Sequence, residues 1–231
     1  MYAQRLILAA ALAAATALTA RGHGDVAPQP VDTAALPDVG EEWLIENPYR
    51  ADKVGEETWL AAIEIGDSGY NQNCARCHGL GAVSGGLAPD LRYLEAEEYG
   101  DEWYVERFVE GYTQNGVTKM PAFGELLGQK AAWAIRTYIE TRPDEGALDD
   151  YTVRLKEIRD QLAAWADDPA SAGDAEGLQV ELSEIASEIE TASGAPIADS
   201  VAFRAANLLG GSEGAYKAAA ETLTIGLSAA K

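Results

Sequence analysis

Tyr70-Asn71-Gln72-Asn73-Cys74-Ala75-Arg76-Cys77-His78 is the stretch on which the fold turns. Ahead of it Trp59, Ile63, Gly66 and Tyr70 recur at spacings of three and four, which predicts a helix over residues 57–73 that delivers Cys74 at its end. C-x-x-C-H is the attachment signature of a c-type haem. On a short helical turn, thiols three residues apart reach the two vinyl groups of one porphyrin, and His78, next in line, can turn a ring nitrogen to the iron. Other uses of paired cysteines fit poorly. Zinc needs about four N, S or O ligands, and beyond residue 25 the chain offers two thiols and a single histidine. A redox dithiol belongs in a βαβ setting, for which there is no strand pattern. One motif implies one covalently bound haem c, held by Cys74 and Cys77 with His78 on the iron.

The sixth position on that iron is narrowed by elimination. Of the two methionines Met1 opens the chain and Met120 lies in Gly116-Val117-Thr118-Lys119-Met120-Pro121-Ala122-Phe123; the only other histidine is His23. Pro121 biases Met120 toward an extended backbone. Met120 is therefore the candidate second metal ligand, with an open iron or Lys119 as the rivals. A His/Met pair is a standard cytochrome c choice.

Composition bounds the partners. The 231 residues include 38 Asp and Glu against 17 Lys and Arg, a net charge of −21, with 47% hydrophobic residues. A core can form, but a protein that binds nucleic acid by neutralising phosphates is excluded, and an anionic membrane would repel it. Residues 1–22 read as an export signal: Arg5 is followed by fifteen uncharged, mostly apolar residues, shorter than the roughly 20 of a spanning helix. Small residues around Ala20-Arg21-Gly22-His23-Gly24 place the mature start between Arg21 and Asp25. The expected product is periplasmic, with no membrane span after cleavage; an uncleaved anchor is the alternative, since Arg5 is the only charge ahead of the apolar run.

Four segments follow from patterning. After the signal, residues 23–56 are rich in Pro, Gly, Asp and Glu and read as a strap or linker. Residues 57–145 hold the haem motif, a glycine-rich loop over 79–100, a helix over 101–112, a loop over 113–123 and a helix over 124–141 stopped by Arg142-Pro143. Residues 146–231 form an acidic helical extension in which Tyr151, Leu155, Ile158, Leu162 and Trp165 step by four and three; that stripe is read as packing within a small bundle, with partner binding as the alternative. No β-rich segment is evident, so the fold class is all-α. Cutting after Asp144 is expected to leave a folded haem domain.

Residues 57–142 resemble a class I cytochrome c. The resemblance rests on Gly66, Tyr70, Cys74, Cys77 and His78 and on Met120-Pro121. It implies that the last helix crosses the first at Gly66, bringing Trp133, Ala134 or Tyr138 over it, and that the Pro89 carbonyl holds the other nitrogen of His78. A narrower resemblance covers residues 24–160. Gly69-Tyr70-Asn71-Gln72-Asn73, Ser84-Gly85-Gly86-Leu87-Ala88-Pro89-Asp90-Leu91-Arg92, Asp101-Glu102-Trp103-Tyr104 and Ala132-Trp133-Ala134-Ile135-Arg136-Thr137-Tyr138-Ile139 are similar to the periplasmic cytochromes that accept electrons from quinoprotein (PQQ-dependent) alcohol dehydrogenases. It implies a one-electron carrier, with such a dehydrogenase as donor and a downstream cytochrome or terminal oxidase as acceptor. Arg76, Arg92 and Lys119 are candidates to pair with haem propionates, and Trp103 or Tyr104 to donate to them. Two other functions stay open at this point: a haem enzyme or gas sensor with a displaceable sixth ligand, and an adaptor that docks through its helical tail.

Overall fold

The computed structural model describes residues 28–196, 200–209 and 214–229. The stretch expected to be an export signal, its expected cleavage site and His23 lie outside them. Among the described residues no helix is long and apolar enough to cross a membrane.

Three long helices frame the first unit. Helix α1, Glu56–Asn73, starts after Gly55 with Glu56 and Glu57 in its first turn, where carboxylates favour the positive end of the helix dipole. It buries Trp59, Ala62, Ile63, Gly66, Gly69 and Tyr70. Helix α2 spans Glu98–Glu110, and helix α3 spans Gly124–Glu140 with a kink at Gly128, φ 77°. Beyond the kink α3 is buried on almost every side, from Ala131 to Glu140. It crosses α1 at Gly66, where a Cβ would collide with the Ala134 carbonyl and Tyr138. A side chain there would hold the helices apart, so the glycine permits the close approach. Tyr70 and Tyr138 meet beside the crossing, ring centroids 5.2 Å apart and planes tilted by 39°.

Two expectations need correction. Residues 113–123 are not simply a loop: β1, Tyr112–Gln114, and β2, Val117–Met120, form an antiparallel hairpin. Asn115 and Gly116 both take positive φ, 52° and 75°, as a two-residue hairpin turn requires. The Asn-Gly dipeptide was the available signal. The ribbon is too small to change the all-α class. Helix α2 also begins at Glu98 rather than 101 and stops at Glu110, because Gly111 has φ 71° and any Cβ there would strike the backbone of residues 120–122.

The N-terminal segment is a strap rather than a linker. Leu36 and Tyr49 are buried in the first core. The Leu44 amide donates to Gln129 Oε1 at 2.6 Å, and Lys130 Nζ donates to the Leu36 carbonyl at 2.7 Å. Arg50 reaches under α2 and α3 to Asp101, 2.8 Å, and Glu140, 2.9 Å; Asp101 also pairs with Arg136 at 2.8 Å. Asn47 closes this buried group on Asp101, Thr137 and Glu140.

The C-terminal unit has its own core, formed by α4 (Thr152–Asp167), α5 (Ala175–Glu188), α6 (Val201–Leu209) and α7 (Ala215–Ala229). The predicted stripe is its inner face: Leu155, Ile158, Leu162 and Trp165 are all buried among residues of the other three helices. The two units meet where residues 189–195, after α5, return to the end of α3.

Candidate haem site

Cys74 ends α1, and one helical turn, Ala75–His78, follows it. The amides of Cys77 and His78 both donate to the Cys74 carbonyl, at 3.1 and 3.0 Å. Cys74 packs half-buried against the first core, Cys77 is exposed, and the two are not joined by a disulfide. Gly79, φ 82°, then reverses the chain; a Cβ there would collide with the Val83 carbonyl. Tyr70, one turn before Cys74, locks the reversal by donating its hydroxyl to the Gly79 carbonyl at 2.8 Å.

His78 Nδ1 lies 2.9 Å from the Pro89 carbonyl. With Nδ1 donating, Nε2 carries the lone pair, the arrangement that orients and strengthens an imidazole metal ligand. The loop that brings Pro89 back is held from inside. Ser84 Oγ donates to the Ala88 carbonyl at 2.6 Å, and the Ser84 amide donates to Asp90 Oδ2 at 3.2 Å. Arg92 clasps the same carboxylate, Nη2 at 2.8 Å and Nε at 3.0 Å. Burial alone would raise the Asp90 carboxyl, but the bonds from Arg92 and from the Ser84 and Arg92 amides outweigh it and hold it below the usual carboxylate range.

Met120 ends β2 opposite Tyr112 and packs, half-buried, against the first core. The chain leaves it through Pro121, and the Phe123 amide bonds the Phe108 carbonyl at 2.8 Å, tying the hairpin exit to α2.

The chemistry of these residues fits a covalent haem. Partial burial, then the neighbouring Cys77, pushes the Cys74 thiol up to about 12, the opposite of the low-pKa nucleophile of a redox dithiol. Among the described residues no three His, Cys, Asp or Glu side chains converge as a metal cluster. Leu80, Val83 and Leu87 after the motif, and Tyr112 and Val117 on the hairpin, present exposed apolar surface that a porphyrin could cover.

The outer candidates divide. Arg92 is 6% exposed and committed to Asp90 and, through Nη1 at 3.3 Å, to the Pro143 carbonyl. Tyr104 is buried and spends its hydroxyl on the Ala132 carbonyl at 2.9 Å, so as a propionate donor it is corrected to a core aromatic. Trp103 stands under Arg107, 5.5 Å from the ring centre, in a surface groove with Trp43 and Tyr99. Arg76 and Lys119 are exposed. Asp90, which sequence reasoning quoted but assigned no role, is the centre of the Pro89 loop; its Asx-turn position two residues before the Arg92 amide was the signal.

A helix ending in two thiols and a histidine held by a backbone carbonyl, beneath a glycine-mediated helix crossing, defines a c-type cytochrome. Residues 61–139 match the family described as Cytochrome C oxidase, cbb3-type, subunit III. The chain is 51% identical to cytochrome c550 of Pseudomonas aeruginosa over 122 residues, 53% of this chain and 82% of that protein. It is 30% identical over 111 residues to the quinohemoprotein alcohol dehydrogenase ADH IIB of Pseudomonas putida, 47% of this chain and 15% of that one. The quinohemoprotein alcohol dehydrogenase ADH-IIG of the same organism is 34% identical over 82 residues, 36% of this chain and 11% of its own. No solved structure matches. The chain belongs to the class I c-type cytochromes, and is a monohaem electron-transfer protein with covalently bound haem c.

Proposed function

We propose that this cytochrome is a periplasmic one-electron carrier between a quinoprotein alcohol dehydrogenase and a downstream cytochrome or terminal oxidase, with His78 and Met120 as axial ligands. For the iron site, the supporting observation is the Pro89 carbonyl 2.9 Å from His78 Nδ1, which leaves Nε2 as the free donor. Bound haem supplies a one-electron iron couple. Cys74 and Cys77 would make the thioethers that keep the group from being lost outside the cell. His78, oriented by Pro89, would fill one axial position, and Met120, brought by the hairpin, the other; a thioether there raises the potential relative to a second histidine. The buried aromatics Tyr70, Tyr104 and Phe108 exclude water from the core beneath the site.

The donor assignment rests on likeness. A stretch similar to this chain makes up 15% of one quinohemoprotein alcohol dehydrogenase and 11% of another. Enzymes of that name therefore contain a stretch similar to this haem domain. The test is to mix ferric protein with a PQQ-dependent alcohol dehydrogenase and its alcohol and follow haem reduction. Rapid reduction that needs both enzyme and alcohol is expected; no reduction by any such enzyme would sink the partner.

A further inference from the structure

The segment after α5 lies outside the matched family region, yet it touches the haem domain at a telling place. Pro143 and Thr191 pair as an antiparallel bridge, and the Asp144 amide donates to the Glu190 carbonyl at 2.9 Å. Ser193, itself buried, donates its hydroxyl to the Glu140 carbonyl, and its own carbonyl accepts the Ala96 amide at 2.9 Å.

One end of this contact leads to the histidine, the other to buried Arg136. Pro143, gripped by Thr191, offers its carbonyl to Arg92 Nη1; Arg92 clasps Asp90; and Asp90 adjoins Pro89, whose carbonyl faces His78 Nδ1. Ala96, gripped by Ser193, follows Leu94 and Glu95, whose carbonyls face Arg136. The loop between, with Leu87 and Pro89 exposed, has little core of its own to fix it. Without residues 189–195, Pro143 and Asp144 would be a chain end beyond α3, and ends that are not tied down lose order.

We propose that residues 189–195 are a positioning clamp: through Pro143, Arg92 and Asp90 they set the strength of the Pro89–His78 hydrogen bond, and so the reduction potential. The inference rests on His78 being an iron ligand. A ring N–H given to a carbonyl raises the basicity of the ligating nitrogen, which favours the more highly charged ferric iron. Loosening the clamp therefore shifts the couple toward the reduced form.

The experiment uses holoprotein. Compared are the full chain, a chain ending at Glu145, Arg92→Lys, Ser193→Ala, and Arg92→Lys combined with each of the other two. Lysine keeps one charge beside Asp90 but cannot span both Asp90 and the Pro143 carbonyl. Against a redox dye, truncation and Arg92→Lys should each raise the reduced-to-oxidised ratio about threefold, about 28 mV at 59 mV per tenfold for one electron. Ser193→Ala should move it the same way by less. The His78 Nδ1 proton of the ferrous protein should exchange faster in each. Combined variants should shift no further than Arg92→Lys alone. Unchanged ratios and exchange, with only a lower unfolding midpoint, would make the segment a simple buttress; full additivity would show another route. Either result overturns the clamp. Should the shortened chain yield no holoprotein, the Ser193→Ala and Arg92→Lys cycle decides alone. Axial ligation is checked separately: a wild-type low-spin spectrum with the methionine-sulfur band keeps that reading whatever the clamp does.

Discussion

Met120→Ala should keep the haem attached through Cys74 and Cys77 yet open the iron, lowering the potential and admitting carbon monoxide. Persistence of the methionine-sulfur charge-transfer band in the ferric variant would remove Met120 from the site. His78→Ala should prevent stable maturation, read as loss of holoprotein yield. Gly66 and Asp90 are also open to tests of stability. At Gly66 a methyl group has nowhere to go, since the Ala134 carbonyl occupies its place. Gly66→Ala should cost about 3 kcal/mol, the upper part of the overpacking range, measured as a lower denaturant midpoint of the holoprotein at unchanged slope. Asp90 titrates below its unfolded value, so its contribution is present above about pH 4 and lost as pH falls through the folded pKa. Asp90→Asn should be less stable than wild type at pH 7, with the difference shrinking in acid; a constant difference from pH 7 to pH 3 would contradict the ion pair.

At the scale of elements, the strap, α2 and α3 are joined by Arg50, Asp101, Arg136 and Glu140. Arg136, Asp101 and Glu140 are at most 1% exposed. Burial raises the Glu140 carboxyl, against the pull of Arg136 and Arg50. Breaking such a group is expensive because it strands a charge without water. Arg136→Met should cost about 3–5 kcal/mol, while surface Arg107→Met, paired with half-exposed Glu106, should cost about 1 kcal/mol or less in the same urea titration. None of this group was legible as a group. Asp101 and Arg136 stood inside family-like stretches and Glu140 carried no assigned role, because partners 35, 51 and 90 residues apart leave no local pattern. Helices α1 and α3 were legible to within a residue, since an apolar face repeating every three to four positions is a local property.

At the scale of the molecule, charge decides how partners approach. Residues 40–145 carry 20 acidic and 9 basic side chains, and residues 146–231 carry 15 and 6, so both units are acidic. The haem domain should be drawn to a donor with a basic docking face. Raising ionic strength from 0.01 to 0.1 M shortens the Debye length from about 30 to about 10 Å, so reduction by that donor should slow. A flat or rising salt dependence, measured with saturating alcohol, would leave apolar contact as the dominant attraction.

The sequence by itself determined the covalent chemistry: two thiols and a histidine at fixed spacing admit one cofactor, and so few sulfur and imidazole side chains leave Met120 as the main remaining candidate ligand. It also determined helical class, because periodicity is written locally. Tertiary structure alone decided that the strap is core, that Tyr104 gives its hydroxyl to the Ala132 carbonyl, and that the tail returns at Thr191 and Ser193 to the end of α3. Those outcomes depend on which buried polar groups find one another once chain segments far apart in sequence are packed together, and a buried hydrogen bond or ion pair is satisfied by proximity in space, for which spacing along the chain carries no signal.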